Sequence, residues 1–137
     1  MKSVSRRSLL KFAGTAAATS IAAAMLPATA EAKKMTGKTG QLVHIVFYWL
    51  NKQEDKDKLI EGLKMLVTAK NIKYSWVGPP QQTKADVMEK SWDVMLLMVF
   101  DKPEGIDAYH KEEVHQKFVD GYGKLWSKTL KFDSLNV

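Results

Sequence analysis

The side chains able to do chemistry in this chain are few. It has no cysteine and only three histidines, His44, His110 and His115, with Tyr109 beside the second. The missing thiols exclude a disulfide framework, a lipid-anchoring cysteine, a thiolate metal site and a cysteine nucleophile. The histidines and Tyr109 are candidates for proton chemistry. A neutral imidazole with a pKa near the working pH can take up a proton. Tyr109 and His115 lie six residues apart on what reads as one helix. Six residues on an unbroken helix turn through about 600°, which leaves the two roughly 120° apart. They converge only if the helix breaks between them, yet Lys111, Glu112, Glu113 and Val114 all suit an unbroken helix. His44 sits in an apolar run and reads first as a hydrogen-bonded core histidine. His110 with Glu113, or Glu112 with His115, would supply two ligands at most, so no metal is assigned.

The elements that must position these groups begin after a leader. Residues 5–11 carry Arg6 and Arg7 followed by Leu9, Leu10 and Lys11; residues 12–26 are weakly apolar and rich in Ala; Pro27 and Ala28-Thr29-Ala30 follow. A basic region, an apolar region and a small-residue cleavage site in that order read as a twin-arginine export address. We therefore expect a signal peptide over 1–32, cut after Ala30 or Ala32. The twin-arginine translocase is then a partner during export, and the mature protein is periplasmic or secreted. The apolar stretch is too short and too poor in Leu and Ile to cross a hydrocarbon core of about 30 Å, so no stable membrane anchor is expected.

Beyond residue 32 about 105 residues remain, enough for one compact domain. Four of the 21 Lys and Arg and one of the 15 acids fall in the leader, leaving 17 against 14 and a net charge of +3. Those charges alternate in sign as on a solvated surface, so no nucleic-acid partner is expected.

Residues 33–41, with Gly37 and Gly40, read as a flexible polar lead-in to a domain over 42–137. Residues 42–50 (LVHIVFYWL) read as a strand buried on both faces, with Leu42, His44, Val46, Tyr48 and Leu50 on one side. Residues 53–70 carry the stripe Leu59, Leu63, Leu66, Val67 of an amphipathic helix. A second strand spans 72–77, with Ile72, Tyr74 and Trp76 sharing a side, and Gly78-Pro79-Pro80 stops it. Residues 92–100 (WDVMLLMVF) form a central strand, with Met95 and Met98 on opposite faces as gap-filling side chains. A helix follows, capped by Asp101 with Pro103 in its first turn, and runs to about 122 with Ile106, Tyr109, Val114, Phe118 and Val119 inward. A short strand over 129–132 ends the domain. This order is the ferredoxin-like βαββαβ arrangement of an α+β fold, with both helices on one face of an antiparallel sheet. Strands one and three are apolar on both sides, so the other sheet face needs a cover. Two copies pairing through it would form a homodimer, which is the expected state.

Val43-His44-Ile45-Val46-Phe47, Trp76-Val77-Gly78, Phe100 nine residues before Tyr109, then His115, Phe118 and the closing Trp126-Ser127-Lys128-Thr129-Leu130-Lys131-Phe132-Asp133 together resemble the stress-responsive α/β-barrel (Dabb) family. The resemblance covers residues 41–133. It implies a dimeric α+β barrel, also the state reached above from the alternation alone. Functions in that family vary; some plant members are stress-linked, and the best understood chemistry is a cofactor-free polyketide cyclase, olivetolic acid cyclase. Carried over residue by residue, the resemblance implies His115 as the base, Tyr109 as its catalytic partner, and His44 and Trp126 in the pocket wall. Tyr48, on the His44 side of its strand, joins them as a ligand contact. No cofactor is implied. The chain departs from the cyclase pattern where a strand-three histidine falls at Val94 and a helix-one tyrosine falls near Leu63, leaving a more apolar pocket. Two readings follow: a stress-related accessory protein that binds a compact apolar or aromatic molecule, or a cofactor-independent cyclase- or monooxygenase-like enzyme using the His115 and Tyr109 pair.

Overall fold

The computed structural model describes residues 36–137, and the expected leader at 1–32 lies outside them. Strand β1 (Leu42–Leu50) leads through a 3-10 turn (Gln53–Asp55) into helix α1 (Lys56–Leu66). Strands β2 (Ile72–Gly78) and β3 (Val94–Phe100) follow, then helices α2 (Glu104–His110) and α3 (Glu113–Tyr122), and strand β4 (Trp126–Leu135). The strands lie in the order β2-β3-β1-β4, each antiparallel to its neighbours. This is the expected ferredoxin-like α+β fold, with its second helix in two pieces.

Alternation along β1 and β3 decides which side chains meet the helices. His44, Val46 and Tyr48 of β1, with Val94, Leu96, Met98 and Phe100 of β3, are buried on the helix side. Leu59, Leu63 and Leu66 of α1 sit on them, all but inaccessible. Gly62 brings α1 against α3, because a Cβ there would lie 2.6 Å from the Tyr122 ring. The helix ends at Leu66, short of the expected 70, where the Thr68 hydroxyl donates to the Met65 carbonyl at 2.7 Å and competes with helical bonding.

Three expectations about the strands and caps need correction. In β2 the register shifts between Ile72 and Tyr74, so Ile72 pairs with Phe100 while Tyr74 pairs with Val99. This bulge puts Ile72 on the helix side and turns Tyr74 and Trp76 to the other face, instead of keeping all three together. Strand β4 runs over ten residues rather than 129–132, because it pairs with β1 along that strand's full length. Pairing, not local propensity, sets its ends. Asp101 does not cap α2; it accepts a hydrogen bond from Gln41 Nε2 at 3.1 Å and faces Lys73 at 3.8 Å.

The end of the lead-in is tied to β4. Gly40, at φ 87°, donates its N–H to the Asn136 carbonyl at 2.8 Å, and Asn136 donates back to Gln41 at 2.9 Å. That left-handed conformation favours glycine. On the far face of the sheet, Tyr74, Trp76 and Phe132 are at least half exposed. The loop at 79–93 meets one end of this face, where Trp92 meets Phe47 edge-on at 5.1 Å and Ser91 accepts from Trp49 Nε1 at 3.3 Å. Among the described residues no helix is long and apolar enough to cross a membrane.

Candidate functional site

Register places a polar column beside an apolar one on the helix side of the sheet. Asp133, Lys131 and Thr129 of β4 stand opposite His44, Val46 and Tyr48 of β1. Helices α2 and α3 close over these two columns and leave a cavity of about 200 Å³. One end of the cavity is aromatic, walled by Tyr48, Phe118 and Trp126; the other gathers Tyr109, His44, His110, His115 and Lys131.

The break between α2 and α3 creates that second end. Glu112 has φ −69° and ψ 142°, an extended conformation that stops α2 and starts α3. Its carboxylate accepts the Lys70 N–H at 3.1 to 3.2 Å, and its carbonyl accepts from His115 N–H at 3.0 Å. Lys70 follows α1, so a tertiary contact holds the bend that local propensity opposes. Tyr109 and His115, expected about 120° apart on a continuous helix, now meet edge-on with ring centroids 4.9 Å apart. His110 lies 5.0 Å from His115 and 6.4 Å from His44. All three histidines of the chain therefore share one cavity.

Each polar group is placed by a specific neighbour. His44 is 5 % exposed, and its Nδ1 lies 2.6 Å from Asp133 Oδ1. A carboxylate oxygen accepts, so this contact orients the ring with Nδ1–H donating to Asp133. Phe100 lies 5.7 Å from the Tyr109 ring. Burial lowers the pKa of His110, with further lowering from His44 and Lys131 against the opposing pull of Asp107 and Asp133. Burial also lowers that of His115, helped by His110, Lys131 and His44. Burial raises both phenols well above their usual range, with Glu112 adding to it at Tyr109 and Tyr109 adding to it at Tyr48. At neutral pH the cavity thus presents uncharged imidazoles at His110 and His115 beside protonated phenols. That pairing can take a proton from a carbon or oxygen acid and hydrogen-bond the resulting anion.

The five residues singled out in the sequence, His115, Tyr109, His44, Trp126 and Tyr48, all line this cavity. Trp126 packs on Tyr48 at 5.1 Å and stacks on Phe118 at 5.6 Å. His110 appeared in the sequence only as a weak metal ligand, and Lys131, Thr129 and Asp133 carried no assignment. Their signal was the polar alternation along β4, which acquires meaning only once its register against β1 is known. Val119, expected inward as core, is 43 % exposed and borders the cavity. Val94 and Leu63 are fully buried core. Neither glutamate of the weak metal pairs turns to the histidines, since Glu113 pairs with Lys117 at 2.7 Å and Glu112 holds Lys70. Among the described residues no three His, Asp or Glu side chains are grouped as metal ligands.

Residues 42–136 match the stress responsive A/B barrel domain family, the whole βαββαβ unit and its cavity included. The chain belongs to that family. No match to a curated protein was found. Among solved structures, a dimeric ferredoxin-like protein of unknown function from Thermobifida fusca is 15 % identical, with a TM-score of 0.60 over 74 % of this chain and 96 % of its own. A Dabb family protein with a ferredoxin-like fold from Mesorhizobium loti is 20 % identical, with a TM-score of 0.57 over 72 % and 99 %. The hydroxynitrile lyase of Passiflora edulis is 13 % identical, with a TM-score of 0.62 over 73 % and 96 %. At these identities the likeness is one of fold.

Proposed function

We propose that this chain is an exported Dabb protein that works as a homodimer and binds one compact apolar or aromatic molecule in the cavity between its sheet and helices α2 and α3. The carrying observation is the cavity of about 200 Å³, part of whose wall is the aromatic set Tyr48, Phe118 and Trp126. A dry apolar cavity of about 150 Å³ holds a benzene molecule, so the volume suits one ring with small substituents. Export rests on the order of basic, apolar and small residues over 1–32, read from the sequence. Dimerisation is supported by the uncovered apolar sheet face and by the T. fusca neighbour, which is dimeric. Native mass spectrometry of periplasm-purified protein tests these together. The expected particle is two chains trimmed near residue 30 or 32 with a retained small molecule; a single untrimmed chain, empty, overturns the reading.

A second reading is favoured by one contact, that of Tyr109 with His115 across the helix break. It makes the pair a cofactor-free proton-transfer catalyst, cyclase-like or oxygenase-like, with His115 as base and Tyr109 as hydrogen-bond donor to the anion. Replacing His115 by Ala separates the two. A catalyst loses its rate by a factor on the order of 10² to 10⁴, whereas a binder without turnover keeps most of its affinity.

A further inference from the structure

Charge at the cavity is distributed unevenly, and the imbalance identifies a ligand class. No acidic side chain lines the cavity among the described residues, while Lys131 and three imidazoles do. Asp133 is engaged with His44 Nδ1, and Asp107, three residues before His110 on α2, does not line the cavity. Lys131 stands opposite Val46, on the inward column of β4, and forms no ion pair among the described residues. Lys131 is exposed and lines the cavity, and a long basic side chain at such an edge can lay its alkyl stem on apolar surface while its ammonium stays in water. A lone cation here, backed by neutral donors and facing an aromatic wall, is complementary to a ring that carries one negative charge.

We propose that the cavity binds a small aromatic carboxylate, its ring against Tyr48, Phe118 and Trp126 and its carboxylate on Lys131 and His110. The inference rests on the reading that the cavity takes a single-ring molecule, and adds the charge that the molecule bears. One full positive charge with imidazole N–H donors matches a monoanion, and a carboxylate accepts from both at once. A bound anion beside His110 also favours its charged form, offsetting the burial and the Lys131 and His44 repulsion that lower its pKa, in the same sense as Asp107 and Asp133.

The three histidine C2–H signals in proton NMR all report from the cavity, so they serve as the binding readout. Benzoate and its neutral analogue benzamide are titrated into the full dimeric protein, with Lys131→Met and, as a surface control, Lys64→Met. Benzoate is expected to bind about tenfold tighter than benzamide, with the gap shrinking as salt rises. In Lys131→Met the gap closes to within about twofold while benzamide affinity holds, and Lys64→Met leaves both unaltered. Saturating benzoate, and not benzamide, raises the His110 pKa in the unmutated protein, a result that does not depend on any variant folding. Equal affinity for the two probes overturns the charge assignment and leaves ring binding intact. A benzoate preference that survives Lys131→Met overturns the site. Failure of both probes to shift any histidine at millimolar concentration overturns the single-ring reading, and this inference with it.

Discussion

The two faces of the sheet are built from alternate residues of the same strands, and along β1 and β3 both alternations are apolar. On the helix side Val46, Leu96, Met98 and Phe100 are buried by α1, α2 and α3 of the same chain. On the far side Ile45, Leu97 and Phe47 stay half-buried, and Trp76 remains 66 % exposed. Equal hydrophobicity thus meets unequal cover. The helix face contains all the means of folding within one chain, and its polar end is the cavity with its three histidines. The far face has an apolar surface that no element among the described residues covers, and in the proposed homodimer a second copy would complete it. Lys128 bends over the Trp49 ring at 4.3 Å and covers part of one corner. If the proposed homodimer pairs through the far face, stability of the chain and its state of association belong to opposite faces, and substitutions on the two should separate them.

Phe100→Ala should break the helix face most severely. Phe100 is fully buried and supports the Tyr109 ring, so a loss of about 3 to 5 kcal/mol is expected in urea unfolding at fixed protein concentration. A loss below about 1 kcal/mol would mean that this face is less tightly packed than described. The far face should respond in association instead. Trp76→Ser with Phe132→Ser is expected to weaken dimerisation by a factor on the order of 100 in sedimentation equilibrium. The far-ultraviolet circular dichroism should hardly alter. Unaltered dimerisation would place the interface elsewhere and spoil the comparison.

The smallest expected effect is one of pH, and it belongs to the helix face alone. His110 and His115 have lower pKa values folded than their ordinary 6.5. The unfolded chain consequently binds more protons than the folded one between those lowered values and 6.5, so stability rises with pH through that window. Their contribution is complete above about 6.5 and is lost as the pH falls through the folded values. Thermal midpoints across pH 5 to 8 should decline on the acid side, and His110→Gln with His115→Gln should flatten that slope. An acid-side decline that persists in the double variant would assign it to carboxylates.

Much of this architecture was legible in the chain itself. The two-residue period of β1 and β3 and the Leu59, Leu63, Leu66 stripe identify elements that bury themselves by local pattern, and their order determines the ferredoxin-like α+β class. Five cavity residues could be named because β1 and the family motifs carry them. The bend at Glu112 could not be read, because its residues favour helix and the force that opposes them is a carboxylate held by Lys70, forty-two residues earlier. The roles of Lys131 and Asp133 were hidden likewise, since a side chain on an edge strand acquires a face only when its partner and register are set. The Lys73 bulge, which sends Tyr74 and Trp76 to the far side, depends on pairing with β3. Composition and periodicity act over a turn or a strand and so determine elements, whereas convergence of three imidazoles, a phenol and an ammonium depends on contacts distant in sequence, which only the folded chain supplies.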